Sequence, residues 1–169
     1  MKKYTINRLR LAAASVTIVL TVALAACNPM AASRNIDSPY YTIQDSSRLI
    51  LHQDLNVPPG KAHINIQNGQ VAAGLDNWDV GCQLEVRDLG PGVVSADTFI
   101  IRRAEVSQEW VNRPSTMRFY RTLYLKSDNQ PNVMQMVCQF WSYPLHGHGV
   151  SVPEIRKALG SVATLEFTQ

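Results

Sequence analysis

Residues 62–71 read AHINIQNGQV, and this stretch decides the architecture. Ala62, Ile64 and Ile66 alternate with His63, Asn65 and Gln67, the period-two pattern of a strand with one buried face. Asn68-Gly69 follows at once, and both residues tolerate positive φ, so the pair predicts a hairpin turn leading into Val71. The same alternation recurs downstream. Cys82, Leu84 and Val86 alternate with Gln83, Glu85 and Arg87, and Met134, Met136, Cys138 and Phe140 with Gln135, Val137, Gln139 and Trp141. Between Thr116 and Lys126, Met117, Phe119, Leu123 and Leu125 share one face, interrupted by Arg121, while Arg118, Tyr120, Thr122 and Tyr124 share the other. Pro58-Pro59-Gly60, Gly90-Pro91-Gly92 and Ser127–Pro131 carry turn chemistry between the runs. Many short alternating strands predict a mainly β fold, an antiparallel sandwich or barrel-like domain.

One short helix is expected near the C-terminus, over about 151–159. Ser151-Val152-Pro153-Glu154 has the form of a capping box, in which the Ser and the Glu three residues on satisfy free backbone donors. Val152, Ile155, Ala158 and Leu159 fall on one stripe, Gly160 can close the end, and Ala163, Leu165 and Phe167 suggest a last strand.

The first 26 residues have a different character. Lys2, Lys3, Arg8 and Arg10 precede an uncharged run from Leu11 to Ala26, the form of a secretory signal peptide. That run of 16 residues is short of the roughly 20 a membrane span needs. Leu24-Ala25-Ala26-Cys27 closes it and resembles the lipobox of bacterial lipoproteins. The resemblance implies acylation of Cys27 and cleavage before it. Asn28 stands where an Asp would resemble an inner-membrane retention signal, which implies the outer membrane and a domain facing the periplasm.

Without the leader the charge argument changes. Taking its four cations from the 16 Lys and Arg leaves 12, against 13 Asp and Glu. The chain's formal charge of +3 is therefore a targeting effect, and it gives no basis for nucleic-acid binding, which needs a clustered basic surface. Residues 28–47 are polar and without a sustained period, and read with Cys27 as a flexible tether, although Pro39, Tyr40 and Tyr41 could pack on the domain. Those 20 residues reach at most roughly 65–70 Å. Residues 48–169 form the β-rich domain, a single one by length.

Once Cys27 is assigned to lipid, Cys82 and Cys138 remain, and an oxidising compartment pairs them. Each lies on the apolar face of its strand, as partners across a core would. Other candidate chemistry is thin. His146-Gly147-His148 could bind Zn²⁺ or Cu²⁺ if a third ligand such as His63 or Asp79 converged, but it reads first as a glycine-containing surface loop. Asp76 and Asp79 in GLDNWDVG are turn caps before they are an acid–base pair. No GxSxG elbow marks a hydrolase nucleophile. Arg118, Tyr120 and Tyr124, with Trp110 and Trp141, are residue types found at binding hot spots and form a candidate surface.

The segments PPGKAHINIQNG (58–69), CQLEVRD (82–88), DTFIIRRAEVS (97–107), VCQFWSYP (137–144) and VPEIRKALGSVATL (152–165) resemble, in this order, a family of small proteobacterial outer-membrane-type lipoproteins. The resemblance implies a secreted β-rich domain with a Cys82–Cys138 pair and brings no catalytic residues. The expectation is therefore a membrane-anchored envelope lipoprotein with a binding or assembly role, not an enzyme, and without a cofactor. Its partners would be the membrane and an envelope protein, peptide or glycan. A periplasmic metal-binding protein using His146 and His148 is the alternative, with a small hydrolase behind it.

Overall fold

The computed structural model describes residues 35–167, so the leader, Cys27 and the first part of the expected tether lie outside the described residues. Along the described chain run β1 (Arg48–Leu51), β2 (Leu55–Val57), β3 (His63–Gln67), β4 (Gln70–Ala72), β5 (Gly81–Val86), β6 (Gly92–Val94), β7 (Asp97–Asn112), β8 (Thr116–Lys126), β9 (Val133–Ser142), helix α1 (Val152–Leu159) and β10 (Ala163–Glu166). Strands hold 51% of the described residues and helix 6%, a mainly β fold with one short helix near the C-terminal end of the described chain. Of the two expected architectures the chain takes the barrel-like one. Eight strands form an antiparallel sheet in the order β10-β1-β7-β8-β9-β5-β3-β4, curled into a half-barrel, and β2 pairs with β6 apart from it.

The apolar faces read from the sequence line the inside of the curl. Leu49 and Leu51, Phe99 and Ile101, Leu123 and Leu125, Cys82 and Leu84, and Ile64 and Ile66 join one core. Helix α1 packs on β3, β5 and β10, strands from both ends of the sheet, and buries Val152, Ile155, Ala158 and Leu159 among them. Each fully buried Ile or Leu contributes about 1.5–3 kcal/mol, so the amphipathic stripe gives the sheet a reason to close around the helix. The helix starts as expected: the Glu154 carboxylate accepts the Ser151 N–H at 2.7 Å and its hydroxyl at 2.6 Å.

Asn68 and Gly69, at φ 53° and 76°, make the two-residue turn between β3 and β4. The turn docks on the end of α1, where the Gly69 N–H donates to the Ala158 carbonyl at 2.9 Å. Gly160 follows at φ 52°, and a Cβ there would fall 2.5 Å from the Gly69 Cα. Strain at positive φ and a backbone clash thus coincide at one residue. Gly160→Ala should cost about 2–3 kcal/mol, a fall of several degrees in melting temperature. Gly69→Ala, whose Cβ meets its nearest atom at 3.4 Å, should cost less. Equal melting temperatures for Gly160→Ala and the unaltered protein would contradict this packing.

The structure departs from the sequence reading in three places. Met134 does not share the core face with Met136 and Cys138. The β5–β9 register shifts between Glu85 and Val86, so that Gln135 opposes Glu85, Val133 opposes Val86, and Met134 is left outward at the irregularity. Cys82 and Cys138 do not face each other across a core but are directly opposed on the adjacent strands β5 and β9, where they form a buried disulfide with Cα atoms 4.0 Å apart. Finally, packing begins before Arg48. Ile43 is buried, Ile36 and Tyr41 pack against the core, and Tyr41 meets Phe167 edge-on at 5.7 Å.

Arg121 explains part of that early packing. It is 1% exposed on the core face of β8, and its Nη2 donates to the Pro39 carbonyl at 2.6 Å. Burial lowers its pKa, an effect that the charge of Glu154 opposes. The interruption in the apolar face of β8 is thus a clamp that fastens residues preceding β1.

Candidate functional site

The outward face of the sheet is polar where the inward face is apolar. Gln139 on β9 lies two residues from Trp141 and shares its face, Gln83 occupies that face of β5, and Asn65 and Gln67 that of β3. Gln67 shapes the loop before β5: its Nε2 donates to the Asp76 and Asp79 carbonyls at 2.9 and 3.1 Å, and its Oε1 accepts the Asp76 N–H at 2.9 Å. Asp76 caps the Trp78 N–H and Asp79 the Val80 N–H, so both act as turn caps. Held this way, the loop borders a half-open cavity of about 430 Å³ on the outer face of the sheet.

Four carboxamides line that cavity, Asn65, Asn77, Gln83 and Gln139, together with His63 and Lys61. Gln83 Nε2 donates to Asn65 Oδ1 at 2.9 Å, and Asn65 Nδ2 donates to the Ala73 carbonyl at 3.3 Å, so two amides hold each other in place. Gln139 is only 8% exposed, and its Oε1 is buried without a hydrogen-bond partner among the described residues. An unpaired buried acceptor costs about 1–3 kcal/mol, and such groups mark places where something outside the chain can bind.

An aromatic cluster adjoins the cavity. The Asn77 carbonyl accepts the Trp141 N–H, which ties the cavity rim to β9. Trp78 lies 6.4 Å from Trp141 and 5.8 Å from Tyr143 between ring centroids, and Trp78 and Tyr143 are 55% and 56% exposed. No protein family, curated protein or solved structure matches this chain.

The residues expected to form one surface divide between two. Arg118, Tyr120, Tyr124 and Trp141 share the outer face, where Arg118 opposes Trp141 and Tyr120 opposes Gln139. Trp110 opposes Met117 and points to the other side of the sheet. Two cations of the outer face, Arg118 and Arg103, are already engaged. Arg118 meets Glu109 at 2.8 Å and lies 4.6 Å over the Tyr120 ring, while Arg103 meets Glu105 at 3.3 Å and lies 4.3 Å over Tyr124. The surface is aromatic and internally neutralised, not basic.

The His146-Gly147-His148 loop has a packing reason for its glycine. A Cβ on Gly147 would fall 1.9 Å from Phe119 Cε2, so the loop rests directly on that ring. His148 Nδ1 lies 2.9 Å from the Gly149 carbonyl oxygen, and its ring packs 5.3 Å from Phe140. Among the described residues no three of His, Cys, Asp or Glu gather as a metal-ligand set. The cavity itself was not legible as a site in the sequence. Its amides are spread over Asn65, Asn77, Gln83 and Gln139, and the only local signal was a run of outward carboxamides on strands paired by the β3–β5–β9 ladder.

Proposed function

We propose that this chain is a lipid-anchored envelope protein that binds a neutral, hydroxyl-rich ligand, a glycan, without transforming it. The observation that carries the reading is the carboxamide-lined cavity beside the Trp78–Trp141–Tyr143 cluster. Amide groups donate to and accept from hydroxyls, and an aromatic face receives the apolar C–H side of a sugar ring. Gln139 Oε1 has no hydrogen-bond partner among the described residues, and a turn of its amide toward the cavity would let a ligand hydroxyl supply the donor. The cavity lining contains no Asp or Glu, which supports binding over acid–base hydrolysis and a neutral ligand over a cationic one. Location rests on the leader and the lipobox Leu24-Ala25-Ala26-Cys27.

The test is calorimetric titration of the mature protein with chitotriose, cellotriose and maltotriose. At least one should bind with a Kd between about 10 µM and 1 mM, about −4 to −7 kcal/mol. Gln139→Leu and Trp141→Ala should each weaken it tenfold or more while the protein stays folded by circular dichroism. Failure of all three sugars to bind at about 10 mM would overturn the reading.

A further inference from the structure

Strand β7 is 16 residues long, and its two flanks are covered unequally. β1 pairs with Asp97–Ile100 only, and Ser46 and Ser47 bond the backbone of Ile101. β8 continues along the other flank to Asn112. Among the described residues no strand other than β8 pairs with Arg102–Val111. An open edge of this length, about 30 Å, is a template for another strand unless charge or shape blocks it. This one also exposes apolar side chains, with Val106, Trp110 and Val111 each more than 40% accessible.

We propose that this edge pairs with the same edge of a second copy, antiparallel, with Val106 opposite Val106 on the two-fold axis. Two observations select the partner and the register. First, the β7–β8 ladder is irregular between Ile101 and Arg103 and again between Trp110 and Asn112, so Arg103–Trp110 is the regular stretch available. Second, a two-fold antiparallel pair sets residues at equal distances before and after the axis opposite each other. With Val106 on the axis, Arg103 faces Glu109 of the second copy, and Glu109 faces its Arg103. Both belong to the outer face, where they oppose Tyr124 and Arg118 of β8, so the new pairs would join charges already aligned there. An axis at Glu105 or Glu109 puts two glutamates face to face. An axis at Ser107 sets Glu105 against Glu109 twice, and one at Gln108 sets Arg103 against Arg113. An axis at Ala104 pairs Arg103 with Glu105 but leaves only a few residues in register. Axes at Arg103, Trp110 or beyond leave almost none of the regular stretch in register, so among the remaining alignments of the strand with itself the charges favour the one centred on Val106.

Sedimentation equilibrium of the mature chain in detergent should give a monomer–dimer equilibrium. Arg103→Glu or Glu109→Arg alone should weaken the dimer tenfold or more, and the double exchange should bring it back to within about threefold. Both side chains are at least half exposed, so the domain keeps its fold in each variant. Val106→Cys should form an intermolecular disulfide readily, and Ser107→Cys, set opposite residue 105, should not. A monomer at every concentration up to about 200 µM, a dimer indifferent to the charge reversals, or equal cross-linking at 106 and 107 would each overturn the proposal.

Discussion

The double replacement of Cys82 and Cys138 by alanine should lower the melting temperature by about ten degrees or more. The bond closes a loop with a sequence separation of 56 between two fully buried residues. Losing such a constraint costs about 4 kcal/mol in the chain-entropy model, a large share of the 5–15 kcal/mol that holds a typical domain together. Position sharpens the expectation. β9 is central in the sheet, and the disulfide ties it to β5, through which β3 and β4 are attached. Both sulfurs lie on the core face, whereas Gln83 and Gln139, one residue further along each strand, line the cavity on the other. Binding measured well below the melting temperature should therefore be unchanged. Calorimetric melting checks the first part and a sugar titration at about 15 °C the second. Free thiols in protein purified without reductant, or lost binding with stability intact, would contradict a structural role.

Cys27→Ala should release the protein from membranes altogether or leave its leader uncleaved. Each buried methylene contributes about 0.8 kcal/mol, so two or three acyl chains amount to an effectively permanent hold. Among the described residues no helix is long and apolar enough to cross a bilayer. Membrane fractionation with mass analysis of the N-terminal peptide checks this. An unacylated N-terminal peptide in the unaltered protein, or unchanged membrane association of an alanine variant whose leader has been removed, would contradict it.

Local pattern carried most of the fold. Alternation at Ile64 and Ile66, the Asn68-Gly69 turn and the Ser151–Glu154 box each act within a few residues, and each appears where expected. Pairing partners did not show. That Cys82 and Cys138 are neighbours in one sheet follows from β9 lying beside β5, a contact between distant parts of the chain. The inward side of Met134 was lost to an irregularity that shifts a register without leaving a mark in the hydrophobic pattern. Trp110 looked like a companion of Arg118, but only the β7–β8 register shows that they face opposite ways. The cavity was least legible, because it needs three strands and a loop to bring its amides together.

The proposal that this domain holds a sugar in the amide cavity is tested most directly by nitrogen-15 spectra of the mature protein during chitotriose titration. The expected result is saturable movement of the side-chain amide signals of Gln139, Gln83 and Asn77 and of the Trp78 and Trp141 indole signals. Signals from Trp110, on the opposite side of the sheet, should stay in place. Saturable shifts confined to other surfaces, or none at all up to about 10 mM sugar, would contradict it.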